Sequence, residues 1–442
     1  MINLIIIVFL LFLTYFSYKK PKSFLILSFF IIPFHAFLIT WLSSILNLSN
    51  NSYILLSAWK EVILLGSILH LIKNYKKINF KLHNIDYFIF AYFFISIIVS
   101  LINHITLKQL IWGLRYDFEM FLIYYIFRLL DFDFKYLIKL LKYLIPITLL
   151  VSIFALMQVF VLPKDFLTLF GYQIGEWIPN SQSLPAYQQI GISEIIRSQS
   201  FLAGPNQLGS FILIPIVLIF SCYEQIKKIH PEYLIILTQI IAIVALLLTY
   251  SRSAYLALVI VAFLFLILKF LRNKIIQITL VLLFFIISIF LTFFAPKYSE
   301  NNFVNNYILH QASSVERQKR YESNFEILKK NPTGLGLGTS GLAAYRSKSE
   351  QDKSIVPENW FIQVGIESGW IGLIIYLIII IGLIINFAKK AKNNFSKAAL
   401  IILISLSLHG FFLHTWSDIV TVFWAWAIFG LANNSKIENE KI

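Results

Sequence analysis

Four polar features interrupt an otherwise apolar sequence and have residue types that could carry chemistry. They are Arg197 ahead of Pro205-Asn206, Arg252 in the polar break Thr249–Ser253, Arg317 with Arg320 in a stretch of helical character, and Pro357-Glu358-Asn359-Trp360 at the start of an apolar run. Guanidinium groups form planar, bidentate hydrogen bonds with phosphate oxygens and keep their charge near lipid. Several arginines that meet on one face would therefore form a site for a diphosphate.

Each of these features has a simpler interpretation when it is taken alone. Arg252, at the end of an apolar segment, could extend its side chain to lipid headgroups. Arg317 and Arg320 fit a solvated helix face, and Glu358 fits the N-terminal end of a helix, where the dipole favours a carboxylate. The run Gly334–Gly338 follows a helix rather than a strand, so it predicts a tight turn rather than a nucleotide site.

Ionisable residues also occur inside two apolar segments. Lys60 and Glu61 lie in one of them, and Arg115, Asp117 and Glu119 lie in the other. Charges inside a membrane are costly and mark function by default. Arg115 is near the predicted outer end of its segment and could reach a diphosphate, with Asp117 or Glu119 as its structural partner.

Two further patterns resemble metal sites. Asp131-Phe132-Asp133 resembles the Asp-x-Asp motif of nucleotide-sugar transferases, but it falls on the predicted cytoplasmic side, so a solvated loop is the favoured interpretation. His414 and Asp418 have a helical i,i+4 spacing that could bind a metal, although a hydrogen-bonded pair at a tight hairpin is favoured. The sequence therefore predicts neither a metal site nor a cofactor.

The composition shows what kind of element must position these residues. The 442 residues are 58% hydrophobic and only 13% charged, with a mean hydropathy of +0.77, whereas soluble chains are about 25% charged. The single Cys222 excludes a disulfide scaffold. The net charge of +15 is spread over short clusters between apolar runs, which is typical of membrane loops rather than of a nucleic-acid-binding face.

Thirteen apolar segments of roughly 20 residues are long enough to cross a bilayer. They are residues 2–18, 23–47, 54–72, 85–104, 108–130, 143–162, 206–223, 232–250, 253–271, 275–295, 360–387, 398–416 and 418–434. Basic clusters, from Lys19–Lys22 to Lys436 and Lys441, all fall on one side of this topology, which the positive-inside rule assigns to the cytoplasm. The N-terminus is then outside and the C-terminus inside. Met1–Tyr18 lacks a charged n-region and a small-residue cleavage site, which favours a retained first span over a signal peptide.

The predicted fold class is all-α, a polytopic membrane protein with about 12–13 transmembrane helices and a large extracytoplasmic helical loop. No tandem repeat is visible. The predicted division is residues 1–162 for the N-terminal transmembrane helices, 163–205 for a first extracytoplasmic loop, 206–295 for central transmembrane helices, 296–359 for a second loop with amphipathic helices, and 360–442 for the C-terminal transmembrane helices.

Three motifs in order carry a resemblance to a known family. They are Ser251-Arg252 before an apolar span, the arginine helix that ends in Pro332 and Gly334–Gly338, and the pattern Asn-x-x-x-Gln-x-x-x-Glu-x-Gly-x-x-Gly at Asn359–Gly372. Together, over residues 195–375, they resemble the O-antigen ligase/polymerase superfamily, which includes Wzy-type polymerases. Ligases of that family usually have His-Asn where this chain has Glu358-Asn359, so this position looks more like the polymerase branch and leaves the base open.

The resemblance implies a metal-independent glycosyltransferase with a polyprenyl-diphosphate-linked glycan as donor. Arg197, Arg252 and Arg317 would stabilise the leaving diphosphate, and Glu358 is the leading candidate for the base that deprotonates the acceptor hydroxyl. A single displacement at the anomeric carbon would invert its configuration. Further implied contacts to diphosphate or glycan are Arg320, Asn206, Asn359, Arg115 and Trp360.

The expected reaction is the transfer of a growing O-antigen or capsule chain to the next lipid-linked repeat unit, at the outer face of a bacterial inner membrane, with a chain-length regulator as a candidate partner. The alternatives are a ligase that moves the finished chain to a lipid or protein acceptor, and a transporter or flippase, which should concentrate polar groups at the bilayer midplane. Four aromatic residues could stack on sugars, although membrane anchoring is favoured for each: Trp177, Tyr187, Tyr321 and Trp360.

Overall fold

The computed structural model of the chain describes residues 2–77, 81–175, 182–189, 195–270, 311–347, 355–434 and 437. Helices dominate these residues, and a short antiparallel ribbon pairs Gln188–Gln189 with Ile196–Arg197. The first eight helices are α1 (Ile2–Lys19), α2 (Pro21–Ile31), α3 (His35–Ile45), α4 (Asn50–Ser57), α5 (Trp59–Lys73), α6 (Asn84–Ile102), α7 (Leu107–Leu129) and α8 (Phe134–Phe160). They are followed by α9 (Pro205–Ser221), α10 (Tyr223–Lys227), α11 (Glu232–Leu247), α12 (Arg252–Phe270), α13 (Gln311–Lys330), α14 (Gly341–Ser347), α15 (Trp360–Lys389), α16 (Asn394–Gly410) and α17 (Ile419–Ala432).

The apolar helices confirm an all-α polytopic membrane fold. Within the described residues, five helical segments are long and apolar enough to cross a membrane, with α2 and α3 together counted as one, and the pair α4–α5, bent by 42°, makes a sixth. Shorter apolar helices are α9, α11, α12, α16 and α17. Helix α7 is more polar because it carries Lys108, Arg115, Asp117 and Glu119. The predicted segment 275–295 lies outside the described residues.

Buried polar contacts join several of the predicted cytoplasmic segments at one end of the bundle. The Arg128 guanidinium, at the end of α7, lies 2.6 Å from the Asp86 carboxylate at the start of α6 and also donates to the Lys81 carbonyl. Asn434, after α17, donates to the Arg128 carbonyl at 3.0 Å. Cys222, which follows α9, is fully buried. These contacts satisfy backbone and charged groups that would otherwise be buried without partners.

The two glycine motifs of the sequence form one structural unit. Helix α15 is broken at Gly369, whose φ of 71° and ψ of −177° are nearly restricted to glycine. The freed carbonyls of Ile366 and Glu367 accept hydrogen bonds from the Leu335 and Gly336 N–H groups at 2.8 and 2.9 Å. The loop thus continues the hydrogen bonding that the broken helix cannot make for itself.

The same loop is fastened to the preceding helices. The Leu337 N–H donates to Ser100 Oγ at 2.9 Å, and a Cβ at Gly338 would lie 2.2 Å from the Gln109 carbonyl oxygen. The loop therefore fits between the end of α6 and the start of α7 only with glycine at this position. It positions α14, which follows directly.

Candidate active site

A cavity of about 240 Å³, with several ionisable side chains in its wall, lies nearer the N-terminal half of α7 than the Arg128 end. Its walls come from α3, α4, α5, α7, α9, α14, α16, α17 and the 411–418 connection between the last two helices. Ionisable side chains in its wall include six from α5, α7, α14 and the 411–418 connection: Lys60, Arg115, Glu119, Arg346, His414 and Asp418. A cavity lined by charges that come from helices far apart in sequence is the main candidate for a functional site.

Glu61 forms ion pairs with two cations beside this cavity. Its Oε1 lies 2.7 Å from Lys60 Nζ and 2.6 Å from an Arg115 terminal nitrogen. Arg115 thus pairs with Glu61 and not with Asp117 or Glu119, the partners predicted from the sequence. Its guanidinium also lies 4.9 Å from the centre of the Trp112 ring, so the charge is held between a carboxylate and an aromatic face.

The acidic residues of α7 face different ways. The Asp117 carboxylate accepts a hydrogen bond from Gln363 at 3.4 Å and contacts Glu367, which places it against α15 and away from the cavity. Glu119, two residues along, is 7% exposed and lines the cavity. Within the described part of the chain, its Oε1 has no hydrogen-bond partner.

The 411–418 connection covers another side of the cavity. Asp418 caps α17, since its Oδ2 accepts from the Thr421 N–H at 3.0 Å and from the Thr421 hydroxyl at 2.7 Å. Burial raises the pKa of Asp418 to about 6 and lowers the pKa of His414. The predicted hydrogen bond between His414 and Asp418 is wrong, because Thr421 takes the carboxylate and His414 Nδ1 has no partner among the described residues.

No group of three or more His, Cys, Asp or Glu residues has the arrangement of a metal site in the described ranges. Asp133, in the Asp-x-Asp pattern, caps α8 by accepting from the Tyr136 N–H at 3.3 Å. Since the residues before it belong to the Arg128 end of α7, this pattern lies away from the cavity.

Arg197 and Asn206, both predicted from the sequence, are directly linked. Arg197 donates from Nε to the Thr249 carbonyl at 2.9 Å and from a terminal nitrogen to Asn206 Oδ1 at 2.8 Å. Asn206 also lines the cavity. Arg252 begins α12 three residues after Thr249, so Arg197 links the segment that carries Arg252 to the cavity residue Asn206.

The other predicted residues lie at the start of α15 and on α13. Arg320 and Glu358 form an ion pair at 3.2 Å, and the Glu358 side chain is 28% exposed. Asn359 caps α15 by accepting from the Ile362 N–H at 3.1 Å. Arg317 lies on α13, but its side chain is outside the described part of the structure.

Two of the aromatic candidates for sugar stacking are held in packing contacts. Trp360 is fully buried, with its ring centre 6.3 Å from that of Tyr376, so its face is not open to a sugar. Tyr321 is half-buried and stacks on Phe325, and burial raises its pKa to about 12. Trp177 lies outside the described residues.

Several cavity residues have no signal in the sequence. Arg346 lines the cavity from α14, where it interacts electrostatically with Tyr53 of α4, nearly 300 residues earlier. His35 lines it from α3 and accepts from the Trp59 indole N–H at 2.9 Å. Lys60 and Glu61 could be noticed as charges inside an apolar segment, but their convergence with Arg115 depends on helix packing.

Residues 237–377, about a third of the chain, match the family model described as O-Antigen ligase. The matched segment contains Arg252, the Gly334–Gly338 loop and the Asn359–Gly372 pattern. This match confirms the resemblance to the O-antigen ligase/polymerase superfamily and supports a membrane protein that handles glycans. A comparison with curated proteins finds no match.

Proposed function

We propose that the protein is a polymerase of O-antigen or capsule type. It transfers a growing glycan from polyprenyl diphosphate to the next lipid-linked repeat unit, at the outer face of a bacterial inner membrane. The observation that carries this proposal is the hydrogen bond from Arg197 to Asn206, which lines a cavity with several ionisable side chains inside an apolar bundle. The match to the O-antigen ligase model supports the same chemistry.

The arginines act on the leaving group. The acceptor oxygen forms a bond to the anomeric carbon, the bond from that carbon to the diphosphate oxygen breaks, and the diphosphate leaves with the electron pair. Arg197, Arg252 and Arg317 stabilise the growing negative charge, because fixed guanidinium donors near an apolar bilayer need little reorganisation. A single displacement inverts the anomeric configuration.

Glu358 suits a supporting role in this arrangement. Its ion pair with Arg320 links the segment before α15 to α13, the helix that also carries Arg317. Asn359 fixes the start of α15 next to it. We infer that this group orients the arginine helix toward the donor, while Arg115 lies deeper, at the cavity wall.

A ligase is the second candidate, favoured by the description of the matched family model. It uses the same donor and the same departure of diphosphate, and differs in the acceptor, which is a terminal lipid or protein. The Glu358-Asn359 sequence in place of the ligase His-Asn favours the polymerase.

A surface-glycan gel of a strain deleted for the gene separates these functions. Loss of the polymer ladder, with single repeat units still attached to the terminal acceptor, supports a polymerase. Loss of all attached glycan, with long polymer on the lipid carrier, indicates a ligase, and an unchanged ladder refutes both.

Complementation with variants tests the arginine site. Arg252→Ala and Arg317→Ala should abolish the ladder while the protein stays in the membrane, and Glu358→Gln should reduce it. Lys329→Ala is the matched control, because Lys329 is an exposed cation on α13 that pairs with Glu326. A wild-type ladder from either arginine variant would remove the diphosphate site from the proposal.

A further inference from the structure

The proposed reaction needs a group that takes the proton of the attacking hydroxyl, and two glutamates can be compared for it. Glu358 is partly exposed, paired with Arg320, and is not part of the cavity wall. Glu119 is buried in the cavity wall. A general base must lie within hydrogen-bond reach of the proton that it takes, so a carboxylate in the cavity is better placed.

The charges around Glu119 leave one of its oxygens available. Lys60 and Arg115 both donate to the single oxygen Glu61 Oε1, and Lys60 also donates to the Ser57 carbonyl. Both cations interact electrostatically with Glu119, yet Glu119 Oε1 accepts no hydrogen bond from any described residue. A buried carboxylate oxygen without a partner is costly, and a hydroxyl that enters the cavity would satisfy it.

Other cavity atoms in the same condition are of mixed donor and acceptor type. They are His414 Nδ1, Trp416 Nε1 and Ser417 Oγ, all buried and without a partner in the ranges that the structure describes. The lining of an anion site would present hydrogen-bond donors alone, and the lining of a site for an apolar ligand would contain none of these polar atoms. A ligand with several hydroxyl groups, each both donor and acceptor, fits such a lining.

The shape and the aromatic wall agree with a sugar. Trp112 and Tyr116 stack with ring centres 6.0 Å apart, and both line the cavity. The volume of about 240 Å³ is below the about 300–1,000 Å³ of pockets that enclose drug-sized ligands. The cavity therefore suits a single sugar residue, the end of a glycan rather than its length.

We propose that this cavity holds the acceptor sugar and that Glu119 is the catalytic base. The proposal deepens the polymerase function and rests on it. The acceptor hydroxyl donates to Glu119 Oε1, and as its oxygen bonds to the anomeric carbon of the donor, its proton passes to that carboxylate. The diphosphate leaves with the electrons of the broken bond, and Glu119 returns the proton to water after the product departs. Asn206 joins this cavity to Arg197, so donor and acceptor meet at one wall.

Purified full-length protein in lipid nanodiscs tests the assignment. The substrate is the lipid-linked repeat unit extracted from membranes of the deletion strain, and the readout is the initial rate of elongation. Glu119→Gln keeps the size of the side chain but cannot take the proton, so the rate should fall at least about a hundredfold. Glu119→Asp should retain part of the rate, and the exposed Glu224→Gln should equal the wild type.

A second variant keeps the proposal testable if Glu119→Gln does not fold. Ser417→Ala removes a buried hydroxyl without a partner among the described residues, so Tm should stay or rise, while KM for the repeat unit should increase about fivefold or more. An unchanged KM would refute the sugar subsite.

The outcomes separate this inference from the function on which it rests. If the wild type does not elongate the repeat unit, the polymerase proposal fails. If the wild type elongates it and folded Glu119→Gln does so at a similar rate, the polymerase stands and Glu119 is not the base. A larger loss from Glu358→Gln than from Glu119→Gln would return the role to Glu358.

Discussion

Substitution of Gly369 by alanine tests whether the two glycine motifs form one unit. An added Cβ would lie 2.5 Å from the Thr333 carbonyl carbon and 2.6 Å from its oxygen, both of them backbone atoms that cannot rotate away. The φ of 71° adds strain for any residue with a side chain. The conformation costs about 1–3 kcal/mol and the inserted methyl group another 1–3 kcal/mol or so.

We therefore expect Gly369→Ala to lower the free energy of unfolding by about 2–6 kcal/mol. For a chain of this length that corresponds to a fall in Tm of roughly 2–6 °C. Intrinsic tryptophan fluorescence of the detergent-solubilised protein measures Tm, and the surface-glycan gel measures function. The ladder should weaken, because α14 and its Arg346 follow the displaced loop.

Gly382→Ala on the same helix is the matched control. A Cβ there would meet a side-chain atom, Ile85 Cγ1, at 3.2 Å, and the helical backbone favours alanine by about 1 kcal/mol, so Tm should change little. Equal Tm values for Gly369→Ala and Gly382→Ala would refute the reasoning, since the close approach of loop and helix would then impose no constraint.

Three further perturbations test other parts of the structure. Arg128→Met leaves the buried Asp86 carboxylate without its cation, which should lower the free energy of unfolding by about 3–5 kcal/mol and lower Tm. Adding Asp86→Asn to the Arg128→Met chain should restore part of the lost Tm. If the double variant has the same Tm as Arg128→Met, the ion pair is contradicted. Arg197→Lys keeps the charge, but an ammonium group cannot bond to Thr249 and Asn206 with the fixed geometry of a guanidinium. The elongation rate should therefore fall about tenfold, equivalent to the loss of one charge-assisted hydrogen bond. An unchanged rate argues against a position of Arg197 at the donor diphosphate. Burial raises the pKa of Asp418 from 3.8 to about 6, so the folded state binds its proton more tightly than the unfolded chain and the wild type loses stability as the pH rises through this range. The side chain in Asp418→Asn does not ionise, so the Tm of this variant should rise relative to the Tm of the wild type as the pH increases from about 4 to 7. A Tm difference that stays constant over this range refutes the raised pKa of Asp418.

The sequence predicted helices better than their interruptions. The segment 23–47 was expected as one span, and Pro21–Ile45 is indeed one candidate span. Its helix is nevertheless interrupted between α2 and α3 at the turn that contains Pro33, a residue without an N–H to donate. The segment 398–416 was also expected to continue past Gly410, where α16 ends. Hydropathy averages over such local breaks, and the breaks are what bring the 411–418 connection to the cavity.

The candidate site was predictable where residues form a local motif and not where packing assembles it. Arg197, Asn206 and Arg115 were identified from the sequence and lie at or beside the cavity. Arg346 and Tyr53 were not, since nothing near either residue in the sequence indicates that the two meet. Glu119 was noticed only as a partner for Arg115, because the sequence does not show that Glu61 takes that place.

The burial of the single thiol has a practical consequence for mapping the two faces of the membrane. Cys222 is fully enclosed, so a membrane-impermeant maleimide should leave the natural chain unlabelled in intact cells and in opened vesicles. A cysteine introduced at exposed Lys164, in the predicted outer loop, or at exposed Lys20, in the first basic cluster, would then be the reactive site in its variant. Labelling of Lys164→Cys from outside and of Lys20→Cys after opening the membrane would give the orientation without removal of the native cysteine.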